Sequence, residues 1–167
     1  MPLDRVDLTK YLSDVFIETG THRGDGVRRA LEAGFSEVYS MEPNISMLSR
    51  MPQGLLDDHR VMVGVGDSRK WLCDFIYMAE NDSVTFWLDA HPDGELSFDD
   101  SPLADELRHI KTCRNLYIST TILIDDMRLF SDEDQARIEA VVRSMGDDPQ
   151  VYRINGHCEN DILVGQM

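Results

Sequence analysis

The chain has 167 residues, 42% hydrophobic and 28% charged, which excludes a disordered polymer and suffices for one domain, residues 1–167, with its own core. Thirty-one Asp and Glu against 16 Lys and Arg give a formal net charge of −15. A field of that sign repels phosphate backbones and anionic lipid, so neither nucleic acid nor a membrane is an expected partner. Cys73, Cys113 and Cys158 are odd in number, widely spaced and in no CxxC pair, against a disulfide framework or a zinc ribbon. They read as reduced thiols of a cytoplasmic protein. Met1–Lys10 lacks the apolar run of a signal peptide, and no stretch approaches the roughly 18 apolar residues of a membrane span.

Short β-branched or aromatic runs alternate along the chain with amphipathic stretches. Strands are predicted at Val15–Glu18, Glu37–Met41, Arg60–Val65, Val84–Leu88, Ile118–Ile124, Gln150–Asn155 and Asp161–Val164. Helical spacing marks Val27–Leu31 with Gly34 as stop, Ile45–Met51 ended by Pro52, Trp71–Ala79, Leu103–Ile110 and Ala136–Val142. Ser131 is set as N-cap of the last, with Asp134 three residues on. Strand–helix alternation predicts a parallel sheet, whereas the last two runs, with no helix between them, must pair as a hairpin. The expected fold is therefore α/β: a doubly wound, mostly parallel seven-stranded sheet with a C-terminal antiparallel hairpin and helices on both faces. Ligands of such sheets sit beyond the C-terminal strand ends.

Glu18-Thr19-Gly20-Thr21-His22-Arg23-Gly24 follows the first strand and opens a helix. Gly20 and Gly24 permit close backbone approach to a ligand, and the helix start offers free N–H groups. His22 stands where GxGxxG has its second glycine, so a pyrophosphate fingerprint for NAD or FAD is absent. The plain alternative is a tight turn without a ligand. Glu42, after the second strand, suits either the two hydroxyls of a ribose or a helix N-terminus. After the third strand, Gly66-Asp67-Ser68 offers an acceptor for an adenine amino group, or a helix cap.

Taken in order, the Glu18–Gly24 turn (with Thr21), Glu42 and the Gly66–Ser68 turn resemble the S-adenosylmethionine site of class I methyltransferases over roughly Val15–Val164. The resemblance implies that Gly20 and Gly24 face the methionine part, Glu42 the ribose and Asp67 the adenine edge. Glu18 would order the turn and the ligand's amino group.

The fourth strand ends in Asp89-Ala90-His91 and the fifth in Asp125-Asp126. Adjacent strands would bring these three aspartates to one rim, where clustered carboxylates call for a cation. Oxygen ligands favour Mg²⁺, Mn²⁺ or Ca²⁺. The set resembles the metal site of catechol- and sugar-type O-methyltransferases; the alternative is that strand-end acids cap turns. His91, beside Asp89, is the candidate general base, with a structural or exposed histidine as the plain reading. Arg128 either binds an acidic acceptor group or pairs with neighbouring acids. Trp71, Phe86 and Trp87 read as core, and His109 as solvent-facing.

The resemblance implies metal-assisted O-methylation of a small-molecule or sugar hydroxyl. The alternatives are a metal-independent methyltransferase, in which Asp89 or His91 meets the acceptor directly, and a non-catalytic S-adenosylmethionine-binding subunit of a larger complex. Only Met1–Asp14 precede the first strand, so the acceptor is expected in a shallow cleft or beneath a second subunit of a homodimer. Pro92–Asp100, with Gly94 as hinge, is the candidate lid.

Overall fold

A computed structural model describes residues 2–90 and 94–167. Seven strands form one sheet: β1 (Val15–Thr19), β2 (Glu37–Glu42), β3 (Val61–Val65), β4 (Ser83–Leu88), β5 (Ser119–Ile124), β6 (Gln150–Ile154) and β7 (Ile162–Gln166). Their order is β3-β2-β1-β4-β5-β7-β6. β7 runs antiparallel to both neighbours, and every other pairing is parallel. The sequence reading placed all seven strands and the terminal hairpin.

Alternation along the buried strands divides the core in two. Val15, Ile17, Phe86 and Ile122 point to one face, where they meet α4 (Ser68–Met78), α5 (Pro102–Thr112) and α6 (Asp132–Arg143). Phe16, Trp87 and Leu123 point to the other, covered by α1 (Asp25–Ala33) and by the N-terminal segment, two 3₁₀ turns and the residues joining them, through Leu3, Val6, Leu8 and Tyr11. Each fully buried large side chain contributes about 1.5–3 kcal/mol. Strands wet on neither face explain why their sequences read as continuous apolar runs.

Local structure departs from expectation at several places. The helix expected over Ile45–Met51 is shortened to α2 (Ile45–Leu48), and a separate short helix, α3 (Gln53–Leu56), follows Pro52. Pro52 is the N-cap of α3: its fixed φ of −56° starts a helix as readily as it ends one. Trp71 is not core. It is 36% exposed, its indole N–H donating to the Val65 carbonyl at 3.0 Å. His109 is half-buried rather than solvent-facing, with Nδ1 enclosed and unpartnered. Of the expected lid, Pro92 and Asp93 lie outside the described residues. Leu96–Asp99 is tied down: Leu96 N–H donates to Leu129, Phe98 N–H to Asp134, and Arg137 covers the Phe98 ring while bonding Asp99. No described helix is long and apolar enough to cross a membrane.

Candidate functional site

The strand order reverses direction between β1 and β4, and the crevice outside their C-terminal ends is where such sheets take ligands. The β1–α1 turn lies there. Gly20 and Thr21 donate N–H bonds to the Met41 carbonyl at 3.0 and 3.1 Å, fastening the turn to β2. Gly20 has φ +95°, and a Cβ on it would stand 2.9 Å from the Asp89 carbonyl oxygen, so glycine is required for this approach to β4. His22 takes a left-handed φ of 49°, a conformation uncommon for a residue with a Cβ. Gly24, also left-handed, is the N-cap of α1.

Glu18 lies beneath this turn and is 1% exposed. Ser40 donates to it at 2.7 Å, and the Ser40 and Thr21 hydroxyls are 2.6 Å apart. Burial pushes its carboxyl up to about 8. Through Ser40, Glu18 is linked to the Thr21 side chain of the turn. Glu42, 7% exposed, accepts the His22 N–H at 2.8 Å on Oε2 and the Asn44 N–H at 2.9 Å on Oε1. A carboxylate oxygen has two lone pairs, so each keeps one for a ligand hydroxyl. Asp67 is the N-cap of α4, accepting the Arg69 N–H at 3.0 Å, and the Arg69 guanidinium beside it holds its carboxyl below the usual range. Ser68 is buried at the first turn of α4, and Trp71 lies over Gly66, where a Cβ would be 2.5 Å from Nε1. Trp71, with Ile45 at 67% exposure, supplies apolar surface beyond the ends of β2 and β3.

β4 and β5 pair in register through Leu88 and Ile124, which sets Asp89 and Asp125 at one rim. The Asp89 N–H donates to the Thr19 carbonyl and hydroxyl, both at 3.2 Å. Asp125 is fully buried; burial, then the charge of Asp89, pushes its carboxyl up to about 8. Among the described residues, Asp125, Asp126 and Asp161 lie close enough together to share a cation. Asp161, at the β7 entrance, joins Asp125 and Asp126 because β7 pairs directly with β5. Two members of this group already have a cation: the Arg128 guanidinium bridges Asp126 and Asp161. Asp161 further accepts the Arg128 N–H at 3.1 Å and the His157 N–H at 3.1 Å. Arg128 thus pairs with neighbouring acids. Replacing it with Met should cost about 2 kcal/mol in urea denaturation, below the full cost of breaking a buried pair because Arg128 is a third exposed. Unchanged stability would remove the bridge as a support of the rim.

His91 lies outside the described residues. Sequence reading missed Glu106, 1% exposed on α5 and facing this rim. Burial pushes its carboxyl up to about 7, opposed by the Ser68 and Thr19 side chains, which favour the ionised form. Its signal was available: Glu106 falls three residues after Leu103 and four before Ile110, on the apolar stripe of its helix.

No family model and no curated protein matches the sequence. Solved structures do share the fold. The O-methyltransferase TomG from Streptomyces achromogenes, involved in tomaymycin synthesis and solved with SAM, has a TM-score of 0.66 at 13% identity, over 99% of this chain and 78% of that one. Human methyltransferase-like protein 13, in complex with SAH, gives 0.63 at 15%, over 95% and 73%. The methyltransferase domain of bacterial CtHen1 gives 0.62 at 12%, over 95% and 92%. At such identities the likeness is one of fold, and the fold is the Rossmann-like one of class I methyltransferases.

Proposed function

We propose that the chain is an S-adenosylmethionine-dependent methyltransferase acting on a small-molecule or sugar hydroxyl at the β4–β5 rim. The observation that carries this reading is the β1–α1 turn. Gly20 presses it against β4, Glu18 supports it from beneath, and Glu42 and Asp67 stand at the next two strand ends. These residues fit the cofactor: Glu42 keeps acceptor capacity for two ribose hydroxyls, and Ile45 and Trp71 offer apolar surface for a planar base.

When bound, S-adenosylmethionine supplies a sulfonium-activated methyl group that passes to the acceptor oxygen as the C–S bond breaks and the O–C bond forms. The chain's task is alignment and removal of the hydroxyl proton. Asp89, just after β4, and His91, two residues on in the sequence, are the residues for proton acceptance. The net charge of −15 supports a small acceptor over a nucleic acid.

Metal assistance is the second reading, supported by the proximity of Asp125, Asp126 and Asp161. Arg128, bridging two of the three, supports the metal-independent form over it. Transfer of labelled methyl from S-adenosylmethionine to a panel of hydroxyl compounds, with and without chelator, tests both. Turnover unaffected by chelator is expected. Turnover lost to chelator and restored by Mg²⁺ would establish the metal form. Cofactor binding without turnover on any acceptor would indicate the binding subunit.

A further inference from the structure

β3 forms one edge of the sheet. The Val38 N–H donates to the Arg60 carbonyl and the Gly66 N–H to the Glu42 carbonyl, so Arg60, Met62, Gly64 and Gly66 turn their peptide groups toward β2. Val61, Val63 and Val65 alternate with them and turn theirs away from the sheet. Some of these outward groups are already used. The Val61 N–H donates to the Asp58 carbonyl at 2.9 Å, and the Val65 carbonyl accepts the Trp71 indole N–H at 3.0 Å. The Val61 carbonyl, the N–H and carbonyl of Val63 and the Val65 N–H have no partner among the described residues.

Exposed edges are usually guarded by a charge, a proline or a bulge. The opposite edge, β6, carries Arg153, whereas β3, Val-Met-Val-Gly-Val, has no charged residue and no proline. Helix α4 packs over β1 and β2, which leaves the flank of β3 open. Met62 is 44% exposed there, and Trp71 and Met78 beside it are exposed too.

The pattern of used and open groups selects the partner. Let Val63 lie antiparallel to Val63 of a second copy. Each Val63 N–H then meets the other's carbonyl, and each Val65 N–H meets an open Val61 carbonyl. The used groups, the Val61 N–H and the Val65 carbonyl, fall opposite each other and lose nothing. Shifting the register by two residues either way sets an open group of Val63 against a used one. An unrelated strand would bring a fresh N–H and a fresh carbonyl to the used groups and leave both unpaired. Charge agrees. In a chain of net charge −15, residues 57–70 are neutral, with Asp57, Asp58 and Asp67 against Arg60, Arg69 and Lys70. A two-fold axis at Val63 brings the Asp57–Asp58 end of each copy to the Arg69–Lys70 end of the other. Met62 then lies opposite Gly64 of the second copy, next to the Trp71 that covers that glycine, and its thioether gains an aromatic neighbour.

We propose that β3 is a homodimer edge, to which a second copy of this chain adds antiparallel about a two-fold axis at Val63, joining the two sheets into one. This interface is independent of the methyl-transfer reading.

Sedimentation equilibrium of the full chain from about 1 to about 500 µM, with residue-resolved amide exchange at both ends of that range, tests it. The expected result at the upper end is twice the monomer mass of 19.1 kDa. The Val63 and Val65 amides should exchange about tenfold or more slowly there than on dilution. The Val61 amide, bonded to Asp58 within one chain, should not change. Met62→Lys sets two like charges beside the axis and should weaken association about tenfold or more. A monomer at every concentration overturns the proposal. So does a dimer in which the Val63 and Val65 amides stay unprotected, because the copies then join elsewhere. Wild-type exchange decides the matter even if the variant fails to fold.

Discussion

Gly26→Ala should be among the most damaging single substitutions in this chain, costing about 3 kcal/mol or more. Gly26 is in the first turn of α1, and a Cβ there would stand 1.6 Å from Glu18 Oε1 and 2.7 Å from its Cδ. Ordinary overpacking costs about 1–3 kcal/mol because neighbours shift, but these neighbours are held. Glu18 is on β1, between β2 and β4, and its other oxygen is bonded to Ser40. Relief requires moving the start of α1, which is also the turn that forms the ligand crevice. Urea denaturation of a double-mutant cycle isolates the cause. In a Glu18→Ala background Gly26→Ala should cost less than about 1 kcal/mol, a coupling of about 2 kcal/mol. An equal cost in both backgrounds would mean that the close approach to Glu18 is not what requires glycine.

Stability should fall as pH rises from about 5 to 8, opposite to the usual behaviour of a protein rich in surface carboxylates. Burial pushes Glu18 up to about 8 and Glu106 up to about 7, against 4.5 for an ordinary glutamate. The folded chain therefore holds protons that the unfolded chain releases. Stability from these groups is fully present below about pH 4.5 and is lost as pH rises through 7 and 8. Each pKa unit corresponds to about 1.4 kcal/mol, so the two groups remove several kcal/mol across that window. Asp14, Asp67 and Asp99 act the other way. Their carboxyls are held below the usual range, mainly by hydrogen bonds from Ser83, Arg69 and Arg137, so their stabilisation is lost only in acid, below about pH 4. Maximum stability should lie near pH 4–5. Glu18→Gln should flatten the decline, and denaturation midpoints at pH 5 and 8 read it directly. Wild-type stability that rises over this interval would show that Glu18 and Glu106 are ionised in the folded protein.

The strands were legible because a sheet covered on both faces favours runs of β-branched and apolar residues, as in Val84–Leu88 and Ile118–Ile124. The hairpin was legible because the interval from Asn155 to Asp161 has no room for a crossover helix. The β1–α1 turn was legible from its glycines. The rim was harder to read. Asp161 was counted as a strand residue, and only the insertion of β7 beside β5 brings it to Asp125 and Asp126. Glu106 was passed over because attention to strand ends ignores the helix that closes them from below. Trp71 was assigned to the core on its residue type, whereas its position one turn into α4 sets it over Gly66 at the crevice. In each case proximity between elements distant in sequence, invisible in a linear pattern, decided the outcome.

We propose that the crevice between β1 and β4 binds S-adenosylmethionine through the β1–α1 turn and Glu42. Calorimetry with S-adenosylhomocysteine on the wild type and on Glu42→Ala, with NAD as control, tests this. Saturable binding of S-adenosylhomocysteine and none of NAD is expected. Loss of Glu42 removes two charged hydrogen bonds to the ribose and should weaken affinity about 100-fold. Absence of S-adenosylhomocysteine binding, or equal affinity with and without Glu42, would contradict it.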